Sequence, residues 1–158
     1  MADYYRDFSF IVKLPTEAAR SYALDLAAKA AAYRWDDEED WAEFPATLAQ
    51  DFRELGLVEW CFETEGTDNG VWVHAHDGGD GPETACVFVK HLLQEFNPDG
   101  RVDFQWACDC SSPEPDVFGG GAAIVTAREI KTLYTHEWVP KQNKRSRRGQ
   151  ARKEEGNA

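Results

Sequence analysis

The chain has 158 residues, 42% hydrophobic and 13% aromatic, which is enough for one packed core and too apolar for a disordered chain. Its net charge of −12 is uneven: 27 of the 29 acidic and 10 of the 17 basic residues precede Lys141, so that part carries −17 and the last 18 residues carry +5. Such a body repels nucleic-acid phosphate and attracts cationic partners.

No apolar run approaches the length of a membrane span, and the start lacks a basic region followed by an apolar stretch. A cytoplasmic protein with no membrane association is expected. Cys61, Cys86, Cys108 and Cys110 then read as thiols rather than as a disulfide framework. Residues 1–140 read as one domain and 141–158 as a disordered basic tail, because the tail has no apolar face and no aromatic residue.

In chain order, Phe8–Leu14 is β-rich and stops at Pro15, predicting a strand. Thr16 is an N-cap candidate, with Glu17 in the first turn of an alanine-rich helix whose apolar series is Ala18, Tyr22, Leu26, Ala30 and Tyr33. An acidic connector, Trp35 to Phe44, leads to a short helix with Leu48, Phe52 and Leu55 on one face and Gly56 at its end. The alternation of Val58, Trp60 and Phe62 against Glu59, Cys61 and Glu63 predicts a half-buried strand. Asn69-Gly70 supplies hairpin chemistry with positive φ, and Val71–His76 returns. Pro82–Phe96 reads as a helix with Ala85, Val89, Leu92 and Phe96 on one side. Val102, Phe104, Trp106 and Cys108 alternate inward along the next strand. After a loop through Gly119–Gly121, Ala122–Ala127 is an extra strand, and Thr126 with Glu129 fits a capping box for a short C-terminal helix.

The core of this order is βαββαβ. It predicts an α+β, ferredoxin-like fold: an antiparallel sheet with helices on one face, plus an extra strand and the C-terminal helix. That fold hosts many functions and implies none.

Four constellations carry chemistry. His74 and His76 with Cys108 and Cys110 have zinc-ligand types at i, i+2 spacing. The histidines turn outward if Val71, Val73 and Ala75 face the core, whereas Cys108 turns inward, so no metal site and no cofactor are predicted. Gly119, Gly120 and Gly121 are a phosphate cradle only if their amides converge on an anion, and they lead into a strand with no Gly-Lys-Ser/Thr, so a tight turn or close backbone approach is the plainer reading. Cys110 at a strand end is a nucleophile position, but nothing in the sequence brings a base to it. The acidic run Asp36–Asp40 between Trp35 and Trp41 suits a basic surface, or is a solvated connector.

The segment from Trp106 to Ala127 resembles a family of small uncharacterised bacterial and phage proteins. Their pattern is W-A-x-x-C-S-x-P followed by F-G-G-G-A-x-x-V-T-A. Here it falls on Trp106, Ala107, Cys110, Ser111, Pro113, Phe118, Gly119, Gly120, Gly121, Ala122, Val125, Thr126 and Ala127. The similarity extends over about Phe8 to Val139. The resemblance implies a compact, phage-borne accessory protein and supplies no catalytic residues.

The function expected is that of a non-enzymatic, acidic protein-interaction module modulating a host partner. Trp72, His74 and His76 form its sheet face, and Phe118 to Gly121 a rim. The alternative is a small-molecule or nucleotide-binding protein, an enzyme included, that uses Gly119–Gly121 and Cys110. Nucleic acid enters only through the basic tail.

Overall fold

The computed structural model describes residues 3–33, 40–76, 81–112 and 117–142. Most of the acidic knob, the loop at 77–80, the Pro-containing loop at 113–116 and the basic tail beyond 142 lie outside the described residues.

The elements are β1 (Tyr4–Asp7), β2 (Ser9–Lys13), α1 (Glu17–Ala31), a 3-10 turn (Asp40–Glu43), α2 (Ala46–Glu54), β3 (Phe62–Thr67), β4 (Gly70–Ala75), α3 (Pro82–Phe96), β5 (Arg101–Cys110), β6 (Gly119–Thr126), β7 (Ile130–Tyr134) and a helix over residues 135–142, α4. β1 and β2 form one alternating run interrupted at Phe8. The first half pairs with β5 and the second with β4, each antiparallel. The strand order is therefore β3-β4-β2 on one side and β1-β5-β6-β7 on the other. Joined through Phe8, this is the ferredoxin-like order with two strands added at one end.

The two halves share one core. Phe10 stacks on Phe104 at 4.1 Å between ring centroids, and Phe8 leans on the same ring at 5.8 Å. α1 packs beneath β3 and β4, α3 packs beneath β5, β6 and β7, and α2 lies against α3. The helices thus cover one face. Thr16 caps α1 by accepting from the Ala19 amide at 3.1 Å, an interaction worth about 1 kcal/mol. The buried side of α1 is Ala19, Ala23, Leu26, Ala27 and Ala30, so Ala18 stays exposed. α3 buries ten of its residues, wedged between the sheet and α2, which is more than a one-sided apolar stripe predicts.

Several expected boundaries move. The first strand starts at Tyr4 rather than Phe8, because β5 runs on to Cys110 and offers its edge to Tyr4–Asp7. β3 begins only at Phe62. Gly56 (φ 64) closes α2, Leu57 donates back to the Phe52 carbonyl, and Trp60 stacks on Phe52 at 5.7 Å, so 57–61 is a packed connector and Val58 is exposed. The hairpin turn is Asp68-Asn69. Gly70 is already strand and lacks positive φ; it is glycine because a Cβ would collide with the Val12 carbonyl of β2.

The largest correction lies after Thr126. Its hydroxyl does accept from the Glu129 amide (3.1 Å), as a cap would, but its own amide also donates to the Glu129 carbonyl (3.0 Å). That closes a two-residue hairpin at Ala127-Arg128. Ile130–Tyr134 returns as β7, and the helix starts only at residue 135. There are two extra strands where one was expected. No helix among the described residues is long and apolar enough to cross a membrane.

Candidate protein-interaction site

Alternation along β2, β4 and β3 decides what the uncovered face presents. Val71 and Val73 point to the helices and are fully buried, so Trp72 and His74 point the other way. Cross-strand register places Ile11 and Glu65 beside Trp72, and Ser9 and Glu63 beside His74. The Trp72 indole N–H donates to Ser9 Oγ at 2.8 Å, and its ring lies 4.1 Å from the His74 ring. A large amphipathic ring is thereby fixed in one orientation on a partly exposed surface.

The histidines sit in a carboxylate setting. His74 Nδ1 is 3.1 Å from the Ala75 carbonyl, which requires the proton on that nitrogen. Nε2 then faces Glu65 at 3.7 Å and Glu63 at 4.0 Å. His76, exposed at the strand end, reaches Glu63 at 3.4 Å. The structure therefore brings Trp72, His74 and His76 together as expected and adds Ser9, Ile11, Glu63 and Glu65. The two glutamates follow from counting residues back from the hairpin, a step that needs the turn placed at Asp68-Asn69.

The remaining predicted residues lie elsewhere. Cys110 is buried on the helix-facing side of β5, opposite Tyr4. It is the last residue of β5, at the strand end expected for it, and its side chain is buried there. Cys108 and Cys110 point away from the face that carries His74, and the β1–β2 run separates their strands. Among the described residues, no group of three or more His, Cys, Asp or Glu is placed to hold a metal ion.

Phe118 is exposed, but Gly119–Gly121 are neither loop nor turn. They pair with Cys108, Ala107 and Trp106 as the first residues of β6. The Gly120 amide donates to Thr135 Oγ1 at 3.0 Å, and the register hands the Gly119 and Gly121 amides to β5. Added Cβ atoms explain the glycines: at Gly121 one would collide with the Trp106 indole, at Gly120 with the Trp106 carbonyl, and at Gly119 with Thr135 Oγ1 at 2.7 Å. The Trp106 indole thus lies against Gly121 alone of the three. The β1–β2 run and β5 lie between the glycines and the strand that carries Trp72.

Two polar groups, His91 buried and Glu83 partly buried, are not legible in the sequence. His91 is 1% exposed on α3. Its Nε2 is 2.7 Å from the Tyr22 hydroxyl, and its Nδ1 has no partner among the described residues. Burial holds the imidazole pKa below its usual value, although Glu95 and Asp51 oppose the shift. Glu83, in the first turn of α3, accepts from Arg6 Nη1 at 3.1 Å and from the Tyr134 hydroxyl at 2.5 Å. Burial and that hydrogen bond push the Tyr134 pKa up, and burial beside Glu83 pushes the Cys86 thiol to about 12. His91 ties α1 to α3, and Glu83 ties β1 and β7 to α3, so their roles are structural.

No family model, curated protein or solved structure matches the chain.

Proposed function

We propose that the protein is a non-catalytic, acidic interaction module that binds a protein partner through the open face around Trp72, His74 and His76. One observation carries this reading. An orientationally fixed Trp sits on a sheet face that is uncovered among the described residues, with Ser9, His74 and Glu65 around it and Glu63 beside His74. Interface energy concentrates in such anchored aromatic residues surrounded by a polar rim. The carboxylates and the net charge of −12 select a cationic surface. Four cysteines read as thiols suit a reducing cytoplasm, and the resemblance over Trp106–Ala127 suits an accessory protein of bacterial or phage origin acting on a host partner.

The test is quantitative affinity capture with the wild-type protein and two variants. Trp72→Ala removes the anchor without touching the core. Trp138→Ala removes an aromatic side chain that is 50% exposed on α4, which follows β7 at the far edge of the sheet from Trp72. The reading predicts a basic partner whose recovery falls at least about tenfold with Trp72→Ala, the scale of an interface hot spot, and is unchanged with Trp138→Ala. Equal recovery with both variants would contradict it.

A further inference from the structure

β3 is the last strand of its sheet: β4 pairs one side of it, and no strand among the described residues pairs the other. The register shows which backbone groups that side offers. Thr67 and Gly70 close the two-residue turn as a hydrogen-bonded pair, so Glu65 and Glu63 also bond to β4. The amides and carbonyls of Thr64 and Gly66 therefore point outward. No backbone bond to another described residue occupies them.

Two different surfaces flank this edge. On the open face, Glu63 and Glu65 expose half or more of their side chains. On the helix side, a cleft of about 400 Å³ separates β3 from the C-terminal half of α1, with Leu24, Ala27, Ala28, Ala31 and Phe62 in its wall. An extended chain added here meets carboxylates on alternate residues and an apolar cleft on those between.

We infer that the β3 edge is a docking site for a cationic extended segment of a partner protein, which adds as a strand and alternates Lys or Arg with small apolar side chains. This rests on the interaction-module reading and specifies its partner's chemistry. Charge selects the occupant. A second copy of this chain paired edge to edge would set Glu63 and Glu65 against their own counterparts on one face, a like-charge arrangement that sheet edges use to prevent self-pairing. A basic segment turns the same carboxylates into cross-strand ion pairs, while its apolar residues enter the cleft beside Ala28.

The experiment uses the full-length protein and a blocked eight-residue peptide alternating lysine and valine, followed by amide hydrogen exchange and titration. Expected is slowed exchange at Thr64 and Gly66, affinity that weakens about threefold for each of Glu63→Gln and Glu65→Gln, and further weakening with salt. Ala28→Trp, which fills the cleft from an exposed helix position, should abolish binding while leaving the far-ultraviolet spectrum unchanged. Exchange at Thr64 and Gly66 that the peptide leaves unchanged, equal binding of a glutamate–valine peptide, or a peptide-free dimer slowed at those amides would overturn the inference. Capture through Trp72 with no protection of Thr64 and Gly66 overturns the edge site alone and leaves the module reading standing.

Discussion

Trp106 determines what its neighbours can be. Its indole lies where the side chain of residue 121 would go, so the glycine there is a packing requirement. Gly121→Ala should destabilise the fold by about 1–3 kcal/mol, the usual cost of overpacking, read as a lower urea midpoint. Gly121→Ala combined with Trp106→Leu should lose less than the two single changes added together, since the collision with the indole is removed and only that with the Leu133 carbonyl stays. Additive losses would mean that the glycine serves something other than Trp106. The thiols separate in the same way. Cys86 and Cys110 are buried, whereas Cys61 and Cys108 are partly exposed. With a thiol-reactive chromophore in native buffer, Cys61 and Cys108 should react quickly, and Cys86 only on unfolding. Burial keeps Cys86 out of reach, and its pKa of about 12 keeps it protonated.

Among the elements, those with two independent signals were readable. α1 has both a cap at Thr16 and an apolar stripe, and α3 has Pro82 at its start and Asn97-Pro98 at its end. Thr126 and Glu129 satisfy a helix-cap pattern, which predicts a helix where Ile130–Tyr134 forms β7. The same side-chain bond also closes a tight hairpin, and only pairing with β6 distinguishes the two. Alternation predicts a strand from Val58, whereas β3 begins at Phe62 because Trp60 stacks on the Phe52 ring, a tertiary contact invisible in alternation. Half of the candidate face was legible, since the alternation of Val71 and Val73 turns Trp72 and His74 outward. Glu63 and Glu65 needed the register. Hydrogen exchange tests the β7 assignment: Lys131 and Leu133 amides, bonded to β6, should exchange slowly, and Thr132 quickly. Uniform protection across Ile130–Tyr134 would indicate a helix.

For the whole molecule, His91 links folding to pH. Its pKa is depressed in the folded state, so the unfolded chain takes up a proton first as pH falls. Stability contributed by the neutral imidazole is complete above about pH 6.5 and declines below it, toward the depressed folded value. Between pH 7.5 and 5.5 the loss should be on the order of 1 kcal/mol, with Glu95 and Asp51 moderating it. The double variant His91→Leu, Tyr22→Phe replaces both partners of the buried bond and should flatten this dependence in urea titrations. A slope equal to wild type would assign the acid sensitivity to other groups.

The fold places its helices on one side of the sheet and its fixed tryptophan on the other, and the proposed function depends on that division. Site-specific photocrosslinking tests it most directly. A photoreactive residue at Ile11, 50% exposed beside Trp72, is compared with one at Trp138 on α4. The account predicts an adduct with a basic protein from Ile11, lost when Trp72→Ala is added, and none from Trp138. An adduct from Trp138 alone would place the partner beyond β7, at the far edge of the sheet from Trp72, and contradict the account.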